Sequence, residues 1–132
     1  MSALTKDRST REREPRRRDV PVAAGARIYA GALVVQNAAG FAQPGATGLN
    51  LTYLGRAEDF ADNSGGAAGA VTAPVNRGCF CWNNDGSVTA ATRGKPAYIV
   101  DDSTVAATDG GGTRSPAGTV FDVDAVGVWV MN

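Results

Sequence analysis

The chain has no histidine among its 132 residues. That removes the side chain most used as a general base near neutral pH and the commonest imidazole metal ligand. Cysteine is nearly absent as well. Cys79 and Cys81 are the only two, too few and too close for a disulfide framework, a usage expected of a protein made inside a cell. No apolar run approaches the roughly 20 residues of a membrane helix. The charged N-terminus lacks the apolar stretch of a secretory signal. Net charge is zero, so the whole-chain balance gives no reason to invoke nucleic acid or an anionic membrane.

The distribution of charge says more than its sum. Residues 1–19 hold seven basic and four acidic side chains, a local +3, which leaves −3 on the rest. We expect an extended basic arm over 1–19 attached to a single β-domain over 20–132. The arm has almost no apolar content, and Pro15 cuts short any helical turn over Ser9–Glu14. It reads as disordered when free and ordered on a partner, whose sheet it would extend by adding a strand. The residues expected to make the contact are Arg8, Arg11, Arg13, Arg16, Arg17 and Arg18, because the guanidinium fork pairs bidentately with carboxylates. Nucleic acid suits this arm poorly. It has no interleaved aromatic side chains for stacking, and Glu12, Glu14 and Asp19 would repel phosphates.

Beyond the arm, 17 glycines separate short β-branched and aromatic runs. Strands are expected at 26–29, 32–36, 41–43, 51–57, 70–77, 79–82, 97–100, 117–123 and 126–130, with Asp101-Asp102 beginning a connection to 104–106. Gly55 marks a bulge, Pro21 makes 19–23 an edge strand or an extended segment, and Pro74 marks an edge or a bulge. Asn37–Gly40, Asn83–Gly86 and Asp109–Gly112 read as turns, and 59–69 as a polar loop. Residues 88–93 read as one helical turn, stopped by Gly94 and Pro96. A period of two over 120–124 puts Val120, Asp122 and Asp124 on one face and Phe121 and Val123 on the other. The fold expected is all-β: a compact small barrel or sandwich with an extended N-terminal arm.

Chemistry-bearing patterns are weak. Cys79-Phe80-Cys81-Trp82 places two sulfurs on one strand face, but a metal would need further ligands, so the cysteines are expected as small buried residues. Asp101, Asp102, Asp109, Asp122 and Asp124 lack the ligand spacing of a calcium loop and are expected to cap turns. Serines have no base beside them, and the glycine runs lack the Lys-Ser/Thr of a phosphate loop. No catalytic residue, metal site or cofactor is expected, and the chain does not read as an enzyme.

Several segments in order resemble small head proteins of tailed phages. They are Ala26–Val35 (ARIYAGALVV), Gly55–Glu58, Asp62–Ala67, Tyr98–Asp102, Gly112–Gly118 and Val126–Val130. Together they are similar to the capsid decoration, or cement, family, including members in Mu-like phages. The resemblance covers roughly residues 20–132, and Cys79–Trp82 departs from it. It implies a trimeric β-rich protein on the outer capsid surface of a virion, made in the host bacterial cytoplasm. It implies binding to the major capsid protein without catalysis, and no nucleic-acid or membrane partner. Two other readings compete: a tail or baseplate component, and an exposed host-surface or carbohydrate module using Trp82 and Trp129.

Overall fold

Short β-branched runs between glycine turns give twelve strands in the computed structural model, which describes residues 2–132. Five form one antiparallel sheet in the order β1 (Arg17–Pro21), β7 (Thr72–Asn76), β5 (Thr52–Ala57), β3 (Leu33–Gln36), β4 (Ala42–Pro44). Just past β1 the chain crosses to the far edge. Val22 bridges Ala42, and the Ala23 N–H donates to the Ala42 carbonyl at 2.8 Å. The sheet therefore curls over a small core of Val20, Val22, Val34, Leu54 and Val75. A ribbon of β2 (Arg27–Ile28) and β6 (Ala61–Asp62) adds Ile28 and Ala61 to it.

The second half closes into a barrel. Its strands are β8 (Cys79–Asn84), β9 (Pro96–Ile99), β10 (Thr104–Ala106), β11 (Pro116–Val123) and β12 (Val128–Met131). Round the barrel they run β10-β8-β12-β11-β9 and back to β10, with only β8 and β10 parallel. Closure leaves no free strand edge. The expected helical turn is a single 3-10 turn, Ala90–Thr92.

Two cores share strands, so the halves form one body. On β3, Leu33 and Val35 point into the barrel core while Val34 points into the other. On β5, Tyr53 joins the barrel core and Leu54 the other. This explains the unbroken apolar run at 32–35: a strand covered on both faces has no polar side to alternate with. Leu33, Val34 and Val35 are fully buried, and burying three such side chains contributes on the order of 5–8 kcal/mol.

Register explains the special residues. Val34 faces Gly55 and Val35 faces Tyr53, so Leu54 is the extra residue of a bulge beside Gly55. Pro21 lies on the edge strand β1. Pro74 does not, since β7 has neighbours on both sides. Its carbonyl accepts from the Glu58 N–H at 2.9 Å, so its missing N–H faces the same side, where the paired register with β5 stops at Ala57–Val75.

Four further expectations need correction. The arm was expected through Asp19, but the sheet begins at Arg17, because residues 17–21 pair along the whole of β7. Arg17 and Arg18 are therefore strand residues, with polar side chains because β1 is an exposed edge. Cys79 and Cys81 are not core residues. The larger Phe80 and Trp82 take the inward positions and leave Cys79 exposed and Cys81 half-buried. Over 120–124 the period of two fails. Val120 faces Val130 and Asp122 faces Trp129, so Phe121 is an extra residue in a bulge and stands outside. Finally, the expected loop over 59–69 contains β6. It is organised by Asn63, 3% exposed, whose amide donates to the carbonyls of Val22, Ala23 and Ala67.

Candidate functional site

The arm and its root are the most strongly charged part of the surface. Residues 2–15 form no strand, and every side chain from Ser2 to Asp19 is exposed, including Arg8, Arg11 and Arg13. The chain becomes fixed at Arg16. Its N–H donates to both oxygens of Glu14 at 3.0 Å, and its carbonyl accepts from the Arg77 N–H at 2.7 Å. That last bond extends the β1–β7 ladder by one pair and sets Arg16 opposite Arg77.

A cleft opens at this point. Pro15, Arg16, Arg77, Phe80 and Asn132 line it. A second cleft, walled by Arg13, Glu14, Arg17, Arg18 and Arg77, adjoins it. Arg77 borders both. The floor is rigid. Phe80 is 8% exposed, and the Arg56 guanidinium stacks 4.3 Å from its ring centroid while bonding Glu58 at 2.7 Å. The Asn132 side chain accepts from the Gly78 N–H at 3.2 Å and closes the end. Arg17 pairs with Asp19 at 3.5 Å, an exposed contact of little energetic weight.

The structure thus brings Arg13, Arg16, Arg17 and Arg18 together and leaves Arg8 and Arg11 out along the arm. The sequence reading missed Arg77. It is the last residue of an expected strand, with no basic neighbour in sequence, and only the register joins it to the others.

Four of the five aspartates are occupied locally, whereas among the described residues Asp102 caps no turn and only its backbone carbonyl is engaged, accepting from the Leu33 N–H at 2.8 Å. Asp101 caps Ser103 at 2.9 Å, and Asp109 caps Gly111 at 3.1 Å. Asp122 is held low by Arg93, 2.8 Å away, with help from the Val123 N–H. Asp124 is held low first by the Trp129 indole at 2.9 Å, then by the Val126 N–H. Partial burial pushes the Cys79 and Cys81 thiols up, which lowers the thiolate fraction available for reaction or metal. No group of three or more Cys, Asp or Glu among the described residues is placed to hold a metal ion. No helix among them is long and apolar enough to cross a membrane.

Trp82 is 5% exposed and donates to Tyr53, so it cannot stack on an external ligand. Trp129 is half-buried and shares a shallow groove with Phe121, Asp122 and Asp124. Tyr29 and Phe60 form another exposed pair, stacked with centroids 5.4 Å apart. Comparison with protein-family models, with curated proteins and with solved structures finds no match to this chain in any of the three.

Proposed function

We propose that the protein is a structural component of a phage head, bound to the outer surface of the capsid and bridging neighbouring major capsid subunits. The observation that carries this reading is the arm. A compact two-core body holds residues 2–15 out as a polar, fully exposed segment. Extended, it would reach roughly 50 Å from its root. Ordering it costs about 1–2 kcal/mol per residue in backbone entropy, so it demands a partner surface with many hydrogen bonds. A cement protein has that need, because a shell under pressure from packed DNA is stabilised by ties between subunits. Many copies make modest contact energies add. The segments similar to decoration proteins support the same reading, and on that resemblance the copies are grouped as trimers.

The test is co-sedimentation of purified protein with expanded heads lacking it, comparing the full chain with a variant lacking residues 1–15. That cut spares β1 and so leaves the sheet whole. Saturable binding of the full chain, weakened at least tenfold by the deletion with an unchanged melting temperature, is the expected result. Unchanged binding without the arm would remove the arm from the contact. Failure of both forms to bind would return the weight to a tail or baseplate part.

The exposed Trp129–Phe121 groove favours a second reading, an exposed carbohydrate-binding module. A glycan array with Trp129→Ala and Phe121→Ala variants tests it, and binding lost in both variants would support it.

A further inference from the structure

We propose that the paired clefts at the root of the arm are a carboxylate clamp, with Arg16 and Arg77 as its jaws, and that they receive an acidic extended segment of the partner protein. This rests on the head-binding reading for the partner's identity alone.

Arg13, Arg16, Arg17, Arg18 and Arg77 line the two clefts between them, with Glu14 in the second and Asp19 in a third that adjoins it. Among the described residues only Arg17 of the five forms a salt bridge, and its partner is Asp19. Arg16 and Arg77 stand opposite each other, joined through their backbones, and the Glu14 carboxylate beside them bonds the Arg16 backbone N–H. Like charges directly across a strand pair are destabilising, so the free protein carries a repulsion that an incoming carboxylate would relieve. Arginine also presents the fork that binds a carboxylate through two parallel hydrogen bonds.

The shape selects an extended chain rather than a single ion. The clefts adjoin along the arm's exit and share Pro15 and Arg77, so together they form a continuous track. The floor at Phe80 and Pro15 is apolar and offers a surface for the side-chain stems of a peptide. An acidic peptide fits better than a nucleic-acid strand. Glu14 lines the track and Asp19 lies beside it, so an evenly spaced phosphate chain would pass close to both. A peptide can place its carboxylates at the arginines alone.

The test uses the full chain and a fluorescein-labelled hexaglutamate peptide, followed by anisotropy at low and at physiological salt. A Gly-Ser peptide and an eight-residue oligothymidylate serve as comparisons. Hexaglutamate should bind with an affinity that falls as salt rises. Arg77→Glu and Arg16→Glu should each weaken it about tenfold or more, Arg77→Gln should weaken it less, and the distant Lys95→Glu should leave it unchanged. Melting curves confirm that each variant is folded. Absence of hexaglutamate binding, equal binding by Arg77→Glu, or tighter binding of the oligothymidylate would each overturn the clamp. Heads separate this inference from the function it rests on. Loss of head binding by Arg77→Glu supports the clamp. Unchanged head binding by Arg77→Glu overturns it while leaving head decoration intact. If the wild-type chain does not bind heads, head decoration fails and the peptide titration still decides the clamp.

Discussion

Replacing Tyr53 with phenylalanine removes one oxygen from the place where the two cores meet. Tyr53 is on β5 and Trp82 on β8, and the Trp82 indole N–H donates to the Tyr53 hydroxyl at 3.1 Å. Tyr53 is 9% exposed and Trp82 5%. Phenylalanine keeps the ring and its packing, so the loss isolates the polar contact. A buried donor left without a partner costs about 1–3 kcal/mol. In a chain of this size that lowers the melting temperature by roughly 5–10 °C for a mid-range loss. The same substitution has a pH signature. Burial pushes the Tyr53 phenol up to about 12 from 10.0, against the opposing pull of the Trp82 hydrogen bond. The unfolded phenol ionises near its ordinary value, while the folded one stays neutral. The stability tied to this group is therefore fully present below pH 10 and is lost as pH rises toward 12. A shift of that size corresponds to roughly 2–3 kcal/mol. Urea titrations of both proteins at pH 8 and pH 11.5 measure it. The two raised thiols, Cys79 and Cys81, also weaken the fold at high pH in both proteins, so the difference reports Tyr53 together with its charge coupling to Cys79. The wild type should lose more stability than Tyr53→Phe over this interval. Equal losses in the two proteins would refute the burial argument for Tyr53.

Two further substitutions probe the fold. Gly55 has φ +131°, and a Cβ there would run into the Asn76 carbonyl oxygen on β7. Gly55→Ala should cost more than about 3 kcal/mol or prevent folding, whereas Gly111→Ala, whose φ is +75° with open space around it, should cost about 1–2 kcal/mol. Thermal melts by circular dichroism distinguish them, and equal costs would contradict the close approach at the bulge. Asn63→Ala should cost about 1–3 kcal/mol, because it strips the donors from three carbonyls in a buried turn. Hydrogen exchange should then quicken at Gly25 and Gly66, whose amides donate to the Asn63 carbonyl, and unaltered exchange would show that the backbone holds the turn without the side chain.

Much of the fold was legible because its signals are local. Glycine and asparagine punctuation marked the Asn37–Gly40 turn, where the Asn37 side chain accepts from the Ala39 and Phe41 amides at 3.0 Å. Gly55 announced its bulge for the same reason. What the sequence concealed depends on which of two alternating sets faces inward. Cys79 and Cys81 alternate with Phe80 and Trp82, and the period of two is the same whichever pair is buried. Area decides it: the two aromatic rings exclude far more water than two thiols, so they take the core. Phe121 misled for a different reason. One extra residue between Val120 and Asp122 reverses every later side chain, and that bulge carries no glycine to mark it.

The candidate site was half legible, along the same division. A run of arginines before the first apolar strand shows a charged arm without any structure. Where that arm is anchored is a question of pairing across the sheet. β1 and β7 lie far apart in sequence, and their register sets Arg16 opposite Arg77. A slip of one residue would put Arg77 beside Pro15 or Arg17 and would move Val20 from the core to the solvent face. Burial of Val20, 6% exposed, therefore fixes the position of Arg77 at the arm's root. The hydrophobic effect, acting on one valine of an edge strand, sets the spacing of the charges at the arm's root.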